Sequence, residues 1–139
     1  MATFEKITTE TLINAPVEKV WKLWSEPEHM MQWNTASEDW HTTQATNDLR
    51  TGGTFSSRMQ AKDGSFGFDF SGTYTEVIPQ SLIAYVLGDE RTVTITFSAK
   101  GDQTLVVETF DAETTNPVAM QQEGWQRILD NFKKYAEHN

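Results

Sequence analysis

Few side chains in this sequence combine the type and the spacing that proton or metal chemistry needs. The histidines are His29, His41 and His138. His29 stands beside Glu28, but a helical zinc site needs a second histidine four residues away, and none falls at that spacing. No metal site is expected. His138 sits at the end of a helix and reads as solvated. His41 follows Trp40 in a segment of period two, where only one of the pair can face inward. With Trp40 inward, His41 belongs to the surface. Asp69 lies between Phe68 and Phe70, and a buried carboxyl there would have a raised pKa suited to acid–base work. Alternation turns it away from both neighbours, toward solvent. Glu38-Asp39 and Asp89-Glu90 fall in turns, Glu123 lies off its helix's apolar stripe, and Arg58 has the opposite parity to Phe55. Gln121 or Gln122 interrupts an apolar helix stripe, and an inward amide must be hydrogen-bonded to a neighbour, a water or a ligand. Gln121 is the candidate ligand-orienting group, with Tyr74 and Tyr85 as further polar candidates. There are no cysteines, which removes disulfides, thiol nucleophiles and thiolate metal sites. Neither a Gly-x-Ser-x-Gly elbow nor a phosphate-cradling glycine loop occurs. No catalytic set and no cofactor are expected.

The elements that would position these groups follow from period and punctuation. Residues 4–13 are Thr-rich with Ile7, Leu12 and Ile13 and read as a strand. Pro16 suits a first helical position, and Val17, Val20, Trp21 and Trp24 share one helix face. Ser25-Glu26-Pro27 breaks this helix and starts a short second one to about residue 33. From about 38 to 111 the period becomes two, with six short strands joined by brief turns. Asp63-Gly64 marks a tight hairpin, because Gly accepts positive φ. Phe66, Phe68, Phe70, Gly72 and Tyr74 fall on one strand face. Asn116-Pro117 reads as cap and first position of a long final helix. Its stripe runs through Val118, Trp125, Ile128/Leu129, Phe132 and Tyr135/Ala136. Gly124, within that helix, suggests close approach to the sheet or a bend.

The order β, α-α, six β, α predicts an α+β class with helices gathered on one face of an antiparallel sheet. Residues 1–139 suit one domain. A long helix about 10 Å wide cannot fill the mouth of a strongly curved sheet, so a cavity is expected between them. The chain has five Trp, three Tyr and eight Phe, an excess over ordinary core needs. Trp24, Trp33, Trp40, Phe55, Phe70, Tyr85, Phe97 and Trp125 are the expected lining, with Gln121 among them. A net charge of −9 repels phosphate backbones and anionic headgroups, so neither nucleic acid nor membrane is expected as a partner. No apolar run is long enough to span a bilayer, and residues 1–6 lack the form of a signal peptide. A cytoplasmic location is expected.

Several segments together resemble a known family. They are Asn14-Ala15-Pro16-Val17-Glu18-Lys19-Val20-Trp21, Trp33, Gly52-Gly53, the run Phe70-Ser71-Gly72-Thr73-Tyr74-Thr75-Glu76-Val77-Ile78-Pro79, and Gly124-Trp125. Over about residues 8–135 the chain resembles the SRPBCC (START/Bet v 1-like) superfamily and, within it, the branch related to the activator of Hsp90 ATPase (AHSA1-like). The resemblance implies a helix-grip fold: about seven antiparallel strands, a short helical pair after strand one, and a long C-terminal helix over the concave face. It also implies a deep cavity for hydrophobic or amphipathic small molecules, and a stress-response setting. Relatives include lipid and hormone binders, polyketide cyclases and aromatic-ring enzymes, so fold alone does not set activity. The leading expectation is non-enzymatic binding of a hydrophobic or aromatic small molecule. The alternatives are a cyclase- or isomerase-type enzyme on a hydrophobic substrate, or a chaperone-associated interaction module. The Hsp90 activator carries a further N-terminal domain that engages the chaperone, and this sequence starts at the first strand, so an Hsp90-type chaperone is the less expected partner. A homodimer through the sheet or the helical hairpin stays open.

Overall fold

Alternation along the strands gives the sheet one dry face. In β7 (Gln103–Asp111), Thr104, Val106, Glu108 and Phe110 are buried while Gln103, Leu105, Val107 and Thr109 are only half covered. The computed structural model describes residues 4–35 and 38–139; the first three residues of the N-terminus read above for a signal peptide lie outside them. The chain runs β1 (Lys6–Ile13), α1 (Val17–Ser25), α2 (Pro27–Trp33), β2 (Trp40–Asn47), β3 (Thr54–Ala61), β4 (Gly67–Ile78), β5 (Leu82–Leu87), β6 (Thr92–Lys100), β7 and α3 (Val118–His138). The seven strands form one antiparallel sheet in the order β1-β7-β6-β5-β4-β3-β2. The first strand therefore pairs with the last, and α1 and α2 fill the connection from one edge of the sheet to the other.

Twist and curl enter where the register breaks, between Thr42 and Gln44 in β2 and between Tyr74 and Glu76 in β4. Gly72, the register partner of Phe55, leaves room for the Phe55 ring to lie across the neighbouring strand. A Cβ there would lie 2.8 Å from the Val86 carbonyl oxygen and 2.9 Å from the Phe55 ring. The β3–β4 hairpin turns at Gly64 with φ of 78°, and the Asp63 carboxylate accepts hydrogen bonds from the Ser65 N–H and hydroxyl.

The apolar stripes of the helices close over the concave face. Val20, Leu23 and Trp24 of α1, Met30 and Trp33 of α2, and Leu129, Phe132 and Ala136 of α3 join Ile83, Val93, Ile95, Val106 and Phe110 in one core. Of the three proline-led helices, α2 begins at Pro27 as the spacing predicts, whereas α1 and α3 start one residue later. Pro16 and Pro117 hold extended flanking positions, and their carbonyls accept the N–H of Val20 and Gln121 at 3.1 Å. Asn116 does not cap α3; its own N–H is accepted by the Glu113 carboxylate. The Gly124 expectation fails in one respect: a Cβ there would meet nothing within 4 Å, so no close approach to the sheet requires this glycine.

On the outer side of β1, α3 reaches across to backbone acceptors. Gln122 donates to the Thr8 carbonyl, Gln126 to that of Glu10 and Lys133 to that of Leu12, at 3.3, 3.1 and 2.8 Å.

Candidate functional site

The curled sheet and the helices do not close completely. Between them lies a cavity of about 190 Å³. Six of the expected residues line it: Trp24 from α1, Trp33 from α2, Phe55 from β3, Phe70 from β4, Tyr85 from β5 and Trp125 from α3. Their rings hold one another mostly edge to face. Phe55 meets Tyr85 with centroids 4.7 Å apart, and Phe70 meets Trp125 at 6.1 Å. Trp24 and Trp33 lie 4.8 Å apart, and each sets an edge against Phe132. Trp125 stacks flat on Phe110 at 3.9 Å, which fixes the plane it presents to the cavity. Trp33 has no polar group to offer, because its indole N–H donates to the Leu23 carbonyl at 3.0 Å. Phe68, 42% exposed, and the half-buried Asn34, Phe70, Trp125 and Ile128 are the lining residues nearest solvent and mark the mouth.

Three expected lining residues lie elsewhere. Phe97 has the inward parity but is sealed by α1, with Trp21 and Trp24 edge-on at 5.2 and 5.7 Å. Trp40 pairs with Ala61 at the first position of β2, beyond the cavity's end, and packs on Phe66 and Phe68 at 6.0 Å each. Gln121 faces inward, but its amide is committed to the chain. Its oxygen accepts from the Glu113 N–H at 2.9 Å, and its nitrogen donates to the carbonyls of Glu113 and Asn116. It ties the β7–α3 connection to the helix and does not line the cavity. His41 also departs from the surface position expected for it. Both Trp40 and His41 are half-buried, both border a second, polar recess with Lys62, Glu38 and Asn131, and the His41 Nε2 is enclosed without a partner among the described residues.

Asp69 and Arg58 point outward as the alternation predicts, forming an exposed pair at 3.6 Å. Glu26, Glu28 and His29 bring donor atoms within 4.8 Å of one another. Both ring nitrogens of His29 are engaged, however, Nδ1 with the Tyr135 hydroxyl at 2.6 Å and Nε2 with Glu26 at 3.4 Å. The cluster acts as a tie between α2 and α3.

Beside the expected Tyr74 and Tyr85, the cavity's inward polar groups are Glu108 and Ser57, which match no catalytic or metal-binding pattern in the sequence. Glu108 is 6% exposed and lines the cavity. Its Oε1 accepts a 3.3 Å hydrogen bond from the Thr9 hydroxyl on the neighbouring β1. Burial pushes its pKa up to about 8, against the opposing pull of that one hydrogen bond. Ser57, 1% exposed on β3 between Phe55 and Met59, has an enclosed hydroxyl with no partner among the described residues. Tyr74 lines the cavity, but its hydroxyl donates to the Asn47 side chain. Burial raises its pKa, and it raises that of Tyr85 further, with Glu108 next in effect on Tyr85. A signal for Glu108 was present in the sequence, since it has the same parity as Val106 and Phe110. Ser57 likewise shares the parity of Phe55 and Met59.

A curled antiparallel sheet gripping a long terminal helix, with a short helical pair in the first crossover and an apolar hollow beneath, defines the helix-grip class. Within that class the chain belongs to the activator of Hsp90 ATPase homolog 1-like family, whose sequence profile matches residues 14–137. The AHSA1-like protein from Aeromonas hydrophila is 48% identical, with a TM-score of 0.91 over 96% of this chain and 93% of its own. A protein from Cytophaga hutchinsonii is 54% identical, with a TM-score of 0.84 over the same shares of the two chains. A protein from Rhizobium leguminosarum, at 23% identity and a TM-score of 0.78, shares the fold over 99% of this chain and 97% of its own. Among curated proteins, none matches the chain. No helix among the described residues is long and apolar enough to cross a membrane.

Proposed function

We propose that this protein binds a small hydrophobic or aromatic molecule in the cavity between sheet and α3. The observation that carries this reading is the cavity itself: about 190 Å³ walled largely by aromatic rings from six different elements. An apolar cavity of roughly 150 Å³ is enough to take up benzene. The fitting ligand is therefore one ring or a small fused pair, and a long acyl chain does not fit. Burial and edge-on ring contacts supply affinity, and the few inward polar groups set orientation.

Saturation-transfer NMR with a panel of neutral one- and two-ring compounds, beginning with 2-naphthol, tests this. Transfer to the ligand and quenching of tryptophan emission are expected. Trp125→Ala removes one wall and its stacking, and should weaken binding roughly 3- to 10-fold. Silence across the whole panel, or a response unaffected by every cavity substitution, would refute the reading. A second reading, proton-transfer catalysis on an apolar substrate, is favoured by Glu108, a buried carboxyl with a pKa of about 8. The chaperone-associated alternative has support in the family's name alone.

A further inference from the structure

We propose that the cavity takes a small aromatic amine, its cationic nitrogen against the Glu108 carboxyl and its ring among Trp24, Trp33, Phe55, Phe70, Tyr85 and Trp125. This rests on the cavity being a binding site, as proposed above, and adds the chemical class of the ligand.

Four observations converge on it. Glu108 lines the cavity, and the Thr9 hydroxyl on Oε1 is its sole hydrogen-bond partner among the described residues. The other carboxyl oxygen is left to whatever enters. Among the described residues no Lys, Arg or His lines the cavity, so none of them offers a counter-charge to an anionic ligand such as a fatty or aromatic acid. The wall is instead built of ring faces and edges, and π-faces attract cations, with tryptophan strongest. The chain's net charge of −9 adds a long-range pull of the same sign. Among the described residues, the only other titratable groups lining the cavity are the phenols of Tyr74 and Tyr85, both held neutral by burial, so neither competes for the ammonium charge. The unpartnered Ser57 hydroxyl stands on β3, separated from β7 by three strands, and serves a polar atom at the ligand's far end.

A matched trio of probes decides the matter: 2-phenylethylamine, 2-phenylethanol and 3-phenylpropanoate, titrated calorimetrically with chemical shifts followed by NMR. The amine should bind at least about tenfold tighter than the alcohol at pH 8.5, and the carboxylate more weakly than either. Because free Glu108 holds its proton below about pH 8, ammonium binding expels that proton. The amine's affinity should thus rise with pH between 6 and 8 and then level, with proton release detectable near pH 7 in buffers of differing ionisation enthalpy. Glu108→Gln should abolish the amine's advantage and leave the alcohol within about twofold. Proton release is read on the unaltered protein, so the test stands even if that variant folds poorly. An alcohol that binds as well as the amine, or an amine preference that survives Glu108→Gln, overturns the inference while leaving the cavity reading intact. Failure of all three probes to enter the cavity overturns both.

Discussion

The buried Glu108 makes a prediction about the folded state that needs no ligand. Its pKa stands near 8 in the folded protein against an ordinary 4.5. Below pH 4.5 the carboxyl is protonated in both folded and unfolded chains, and burial costs no ionisation. Between pH 4.5 and 8 the unfolded chain releases its proton while the folded one keeps it. Stability then falls by about 1.4 kcal/mol per pH unit and levels off above pH 8, a total of about 5 kcal/mol. Glu108→Gln keeps the side chain's shape and an oxygen that can accept from Thr9, yet cannot ionise. The two proteins should be similarly stable at pH 4.5–5, and the Gln variant should be about 3 kcal/mol more stable at pH 7 and about 5 at pH 9. All other titrating groups, including the Asp111 and Glu137 carboxyls held below their usual range, are common to both proteins and cancel in the difference. Urea unfolding of both proteins at pH 5, 7 and 9 measures it. A stability difference that stays flat across that range would show that Glu108 is solvated in the folded state, and the polar pole assigned to the cavity would fall with it.

Three further outcomes follow from particular contacts. Gly124→Ala adds a methyl group into open space in mid-helix and should stabilise by about 1 kcal/mol, seen as a rise of a few degrees in Tm; destabilisation would mean that the glycine admits a neighbour or a bend. Gln121→Ala leaves the Glu113 N–H and two carbonyls without a partner and should cost about 1–3 kcal/mol in urea unfolding, with cavity binding unchanged. Gly72→Ala drives a methyl against the Val86 carbonyl and the Phe55 ring and should destabilise by about 1–3 kcal/mol; NMR shifts should spread to Phe55 and Tyr85, and a neutral result would contradict the packing of that layer.

The fold was largely legible because each element has an unmixed period. Val93, Ile95 and Phe97 alternate with threonines, and the stripe ending in Leu129, Phe132 and Ala136 repeats as a helix must. Parity in the strands and the 3.6-residue period in the helices also placed Phe55, Phe70, Tyr85, Trp33 and Trp125 on the side of their elements that lines the cavity. Parity says which way a side chain points; it does not say what comes to rest on it. Phe97 is turned inward like Phe55, yet α1 docks over one and not the other, and that docking depends on contacts distant in sequence. Gln121 was located correctly on an inward face, but which partner satisfies its amide was not legible, because the groups it binds are brought to it by the path of the β7–α3 connection. Glu108 was missed for a different reason. A single acid in an otherwise apolar strand resembles no catalytic or metal-binding pattern, although its place between Val106 and Phe110 already required it to be buried.

The three side chains that α3 extends to the carbonyls of Thr8, Glu10 and Leu12 bear on self-association. Those acceptors are what an incoming strand from another molecule would use to lengthen the sheet, the first step toward swapped or fibrous aggregates. With the acceptors occupied, that rim cannot template, and β2 at the opposite rim is where any strand-to-strand joining of two copies would have to begin. The helix that roofs the hollow thus also acts as a safeguard against polymerisation, and changes at Gln122, Gln126 or Lys133 would be felt first at high concentration, as turbidity.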